Sequence, residues 1–83
     1  MNETPITLDV LKDMAHSGLV NDIKARKLPN GSGYHLIART RTGARVLHKT
    51  RHPALPRLFK SLDAVADNCR ELGFKRFEVV GLS

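Results

Sequence analysis

The apolar positions change period along this chain, and each change marks an element. Leu8, Leu11 and Ala15 fall on one stripe with Val10 and Met14 beside it, which predicts a helix from Leu8 to about Ser17. Thr7 is placed to cap it, Asp9 meets the positive end of its dipole, and Gly18 is a natural stop. Period two follows. Ile23, Ala25 and Lys27 alternate with Asp22, Lys24 and Arg26, up to the turn Pro29-Asn30-Gly31-Ser32-Gly33. Tyr34, Leu36 and Ala38 then alternate with His35, Ile37, Arg39 and Arg41. Thr42-Gly43 makes a second tight turn before a strand through Val46 and Leu47 to about Thr50. Two successive hairpins predict a three-stranded antiparallel meander.

The remainder reads as connection, helix and strand. Pro53 and Pro56 stiffen the segment from His52 to Pro56, and Arg57–Lys60 reads as a short edge strand. Ser61 caps a second helix with Asp63 in its first turn and an apolar stripe at Leu62, Val65, Ala66, Cys69 and Leu72. Gly73 ends that helix, and Phe74–Val80 forms a last strand with Phe77 and Val79 on one face. The expected architecture is α+β. It has an antiparallel sheet of three to five strands, two helices on one face, and the order α-β-β-β-(β)-α-β. Residues 1–83 read as one domain, with 1–5 flexible.

Composition narrows the function classes. A chain of 83 residues buries a thin core with little room for an enclosed active site. One cysteine cannot form an internal disulfide, so a reducing compartment is expected. Met1–Pro5 lacks the basic and apolar regions of a signal peptide, and no apolar run approaches membrane-spanning length. A cytoplasmic, membrane-free protein is the expectation.

Charge changes the picture most. The formal net charge is +6, and its distribution is uneven: the forty residues from Ile23 to Leu62 hold no Asp or Glu, yet carry ten of the fourteen Lys and Arg. Five of the eight acids lie on the two predicted helices. Six of those ten cations are arginines, whose planar fork suits phosphate and guanine edges. Crowded like charges repel, and a polyanion relieves that repulsion while releasing its own counterions. The candidate nucleic-acid contacts are Lys24, Arg26, Arg39, Arg41, Arg45, Lys49, Arg51 and Arg57. The competing reading is a solvated basic face that serves solubility.

No catalytic or cofactor chemistry is expected. Cys69 falls inside an apolar stripe and reads as a core residue. His16 sits where it can interact with the negative end of the first helix. His48 and His52 lie in an extended, proline-bounded segment, so they share no helical face, and no metal site is expected from them with His35. Asn30–Gly33 lacks the strand-to-helix context of a phosphate loop and reads as a hairpin turn. Asp63, Asp67 and Glu71 form an acidic helical stripe.

Two family resemblances add a setting. The stretch Tyr34-His-Leu-Ile-Ala-Arg-Thr-Arg-Thr-Gly-Ala-Arg-Val-Leu, with Arg57-Leu-Phe-Lys-Ser-Leu-Asp-Ala-Val-Ala, resembles the arm-type DNA-binding domain of tyrosine recombinases. That family implies three antiparallel strands laid in the major groove. Ile6-Thr-Leu-Asp-Val-Leu, Gly18-Leu-Val, Phe59-Lys-Ser-Leu-Asp and Glu71-Leu-Gly-Phe-Lys-Arg-Phe-Glu-Val resemble the small partition-associated (ParC-type) proteins of plasmids and integrative elements. This likeness implies a role in mobile-DNA maintenance. A double-stranded-RNA-binding domain shares much of the element order, but Asp63 and Asp67 stand where that family carries lysines. The expected function is therefore a non-enzymatic basic accessory protein that binds DNA through the arginine-rich face of its sheet. The alternative is an interaction or homodimerisation module without nucleic-acid contact, using the Arg57–Lys60 edge or the apolar end from Phe77 to Leu82.

Overall fold

A computed structural model of the chain describes residues 3–81. Strand β1 (Thr4–Ile6) leads into helix α1 (Leu8–His16), followed by β2 (Val20–Lys27), β3 (Tyr34–Thr40) and β4 (Gly43–Leu47). Helix α2 (Leu62–Glu71) and strand β5 (Glu78–Gly81) complete the chain. The strands form one sheet in the order β1-β4-β3-β2-β5. The predicted meander is present, with β2–β3 and β3–β4 antiparallel.

The sheet as a whole is mixed, which corrects the antiparallel expectation. β1 pairs parallel to β4, and β5 pairs parallel to β2. The cause is connectivity. A helix crossing one face returns the chain to the end from which the preceding strand began, so β1-α1-β2 and β4-α2-β5 each join parallel strands. The observed order is β-α-β-β-β-α-β. The segment expected to be flexible over residues 1–5 is a strand at Thr4 and Pro5, while residues 1 and 2 lie outside the described residues.

Two further expectations shift. Arg57–Lys60 is not an edge strand: Phe59 exchanges backbone hydrogen bonds of 2.7 and 2.9 Å with Tyr34, and Arg57 N–H donates to the Leu47 carbonyl at 2.9 Å. The segment is thus wedged between the end of β4 and the start of β3. Strand β2 begins at Val20, earlier than its alternation implies. A bulge between Val20 and Asp22 puts Val20 and Ile23 on one face despite their spacing of three.

Both helices cover the same face of the sheet. Leu11 of α1 and Val65, Cys69 and Leu72 of α2 pack on Ile23, Ala25, Leu36, Ala38 and Leu47, with Ile6 and Phe59 closing the cluster. The Ser61 hydroxyl caps α2 by accepting from Ala64 N–H at 3.2 Å, whereas Thr7 sits at the N-cap of α1 with no side-chain cap bond. Gly33 has a particular duty. Its φ of 146° suits glycine alone, and a Cβ there would collide with the Phe59 carbonyl that pairs with Tyr34. No described helix is long and apolar enough to cross a membrane.

Candidate nucleic-acid interface

Cross-strand partners point to the same side of a sheet, so the register sorts the cations by face. Ile23 opposes Ala38 and Ala25 opposes Leu36 beneath the helices, which leaves Lys24, Arg26, His35, Ile37 and Arg39 on the open face. Arg41 follows at the tip of the two-residue β3–β4 turn, where the Thr40 hydroxyl donates to the Gly43 carbonyl at 2.8 Å. Lys24, Arg26, Ile37, Arg39 and Arg41 line a groove of about 570 Å³ together with Glu3 and Val80. The structure therefore brings together Lys24, Arg26, Arg39 and Arg41.

This face is less basic than the sequence implies. Arg26 Nη1 donates to Glu3 Oε2 at 2.6 Å, and Lys24 Nζ lies 3.3 Å from Glu78 Oε1. Asp22 stands opposite Arg39 in the register, though without an ion pair. Ile37 and Val46 also face away from the helices, yet they are only 5% and 6% exposed. The charged chains around them thus lie flat, with their aliphatic stems covering apolar surface. On this face the cations serve the fold as well as any ligand.

The second group lies beyond the end of β4. Lys49, Arg51, Arg57 and Lys60 line a cleft of about 510 Å³ with Thr50, His52 and Leu58. Among the described residues no carboxylate forms an ion pair with any of these four cations. The loop that carries them is held in place by its own backbone. Lys49 N–H donates to the Leu55 carbonyl and Leu55 N–H to the His52 carbonyl, both at 2.9 Å. The His48 ring adds a tie: its Nδ1 lies 2.7 Å from the Pro53 carbonyl, and because a carbonyl only accepts, Nδ1 carries the proton. The Arg57 guanidinium lies over the Phe59 ring, its Cζ 4.8 Å from the ring centroid, a cation–π contact that restrains the side chain beside the cleft. Lys60, absent from the sequence candidates, joins this group because the wedged Arg57–Phe59 segment returns it to the cleft.

Arg45 belongs to neither group. It opposes Ala38 on the helix-covered face, Nη2 donates to the Pro5 carbonyl at 2.9 Å, and Nε is buried without a partner. Its role is to tie β1 to β4 at the rim of the core.

Two titrating groups report on these surroundings. Burial lowers the pKa of His35, Arg26 beside it lowers it further, Glu3 opposes, and His48 adds a small lowering. Burial alone pushes the Cys69 thiol up to about 11, so little thiolate forms near neutral pH and the residue packs as a small apolar group. Among the described residues no cluster of three or more His, Cys, Asp or Glu is placed to hold a metal ion. No family model matches the chain, and neither does any curated protein or solved structure.

Proposed function

We propose that this chain is a non-enzymatic accessory protein that binds duplex DNA through its phosphates, with the loop between β4 and α2 as the principal contact. One observation carries the reading: Lys49, Arg51, Arg57 and Lys60 converge on one cleft, and no described carboxylate pairs with them. Four uncompensated cations on an ordered loop form a high local potential, which a polyanion neutralises while its counterions are released. The open face adds Arg39 and Arg41, whereas Lys24 and Arg26 contribute less because Glu78 and Glu3 already engage them. Phosphate contact of this kind positions a protein without reading bases. The resemblance to partition-associated proteins supplies the setting, mobile-DNA maintenance.

The test is an anisotropy titration of a labelled duplex at low salt, repeated as salt rises. With four loop contacts and two from the β3–β4 hairpin, log K should fall against log salt with a slope of roughly −5 to −6. Absence of binding at tens of micromolar protein, where even non-specific DNA binding is ordinarily seen, overturns the proposal.

A further inference from the structure

The two edges of the sheet differ in what they offer a partner. β1 is three residues long, and Pro5 at its centre has no N–H to give. β5 is a four-residue strand, Glu-Val-Val-Gly, paired on one side only, with β2. Among the described residues, Glu78–Gly81 make no backbone hydrogen bond beyond that pairing. Val79 lies opposite Ala25, on the face the helices cover, yet it is 48% exposed. Half-buried Phe77 continues the same apolar strip.

We infer that β5 is a self-association edge, where a second copy of this chain adds antiparallel to β5 about a twofold axis through Val79. The sequence of the edge is self-complementary in that register. Val79 meets Val79 of the second copy, Glu78 falls opposite Val80, and Phe77 falls opposite Gly81, where an aromatic ring can cover a glycine. The strand's one charged residue, Glu78, meets an apolar partner and already has Lys24 at 3.3 Å, so no like charges oppose each other. The one charge on this edge, Glu78, is already engaged by Lys24, and the register centred on Val79 places no like charges opposite each other in a second copy. With the axis normal to the sheet, both helical layers stay on one side. Two five-stranded sheets become a continuous one, and their open faces lie side by side.

A strand edge alone buries less than the area of a stable dimer, so the association is weak and depends on concentration. It also has a distinctive salt response. Each copy carries +6, so added salt screens the repulsion and strengthens pairing, whereas salt weakens any phosphate contact. The inference requires no DNA and is tested without it.

Sedimentation equilibrium of the full chain up to about 1 mM should show a monomer–dimer equilibrium that shifts toward dimer as salt rises. Val79→Lys should leave the thermal melt unchanged, since the position is half exposed, and abolish the dimer by placing a charge on the edge. A covalent readout fixes the register. Opposed residues of an antiparallel pair have Cα atoms about 4.5–5.5 Å apart, within disulfide range. Under mild oxidation Val79→Cys should therefore form a cross-linked dimer at least tenfold faster than Val10→Cys, an equally exposed position on α1. The native Cys69 is buried and does not compete. A strict monomer at every concentration, or cross-linking at Val79 no faster than at Val10, overturns the inference.

Discussion

The open sheet face and the β4–α2 loop each hold four cations, and what surrounds them is opposite in kind. On the sheet, Glu3 and Glu78 engage Arg26 and Lys24, Asp22 stands beside Arg39, and the aliphatic stems shield Ile37 and Val46. In the loop, no described carboxylate pairs with Lys49, Arg51, Arg57 or Lys60, and the cleft they line holds only Leu58 as a large apolar residue. Equal numbers of basic residues thus yield a nearly balanced surface in one place and an uncompensated one in the other. Exposed ion pairs contribute little to stability, about 0–1 kcal/mol each, but they lower the potential that an approaching polyanion meets. Charge count alone therefore does not tell the two surfaces apart.

The largest effect should come from stripping one group while sparing the other. Replacing Lys49, Arg51 and Lys60 with Gln should reduce duplex affinity at least about a hundredfold at low salt and flatten the salt slope by about three. The same change at Lys24, Arg26 and Arg39 should cost about tenfold, read by the same titration. Equal losses would erase the distinction between the two surfaces.

Next in size is a perturbation of the loop's anchorage. Gly33→Ala sets a Cβ against the Phe59 carbonyl and strains a positive-φ position, so unfolding free energy should drop by about 2–3 kcal/mol in a denaturant titration. Because Phe59 holds the loop's second half to Tyr34, the DNA salt slope should shrink in the folded variant as well.

How much of this was legible beforehand depended on whether the cause was local. The stripes at Leu8/Leu11/Ala15 and Leu62/Val65/Cys69/Leu72, and the Ser61 cap, are local, and both helices lie where those residues put them. The β3 alternation is local too, and Leu36 and Ala38 are fully buried. Strand β1 carries no comparable signal: three residues, one of them proline, pair only with β4, which the meander from β2 through β3 brings beside them. The acid-free stretch was equally plain in the sequence, and the loop cleft is drawn from it. What stayed hidden is that the acids at the sheet come from outside that stretch. Glu3 precedes β1 and Glu78 opens β5, the two strands whose parallel placement a meander does not disclose. The placement of Arg45 is hidden for a related reason, since only the β3–β4 register puts it opposite Ala38 on the covered face.

Histidine titration sharpens the comparison with a smaller signal. The folded chain holds His35 below its ordinary pKa of 6.5, so the unfolded chain takes up that proton first as pH falls. Stability from this group is fully present above about pH 6.5 and declines as pH drops toward the folded value. His35→Gln should flatten that part of the pH–stability curve. If DNA lies mainly on the loop, the His35 pKa followed by NMR should rise only slightly on binding; a large rise would mean phosphates sit on the sheet.

The smallest predicted change is a gain. Glu3→Gln frees Arg26 and should raise duplex affinity about two- to fivefold, with a correspondingly steeper salt dependence. No gain would indicate that Arg26 stays committed to covering Ile37.

Amide and arginine side-chain NMR shifts, followed as a short duplex is titrated into the labelled full chain, test the central claim most directly. The largest changes are predicted across Lys49–Lys60, smaller ones at Arg39 and Arg41, and none on the solvent faces of α1 and α2. Shifts concentrated on the helices, or a sheet face that responds more strongly than the loop, would contradict it.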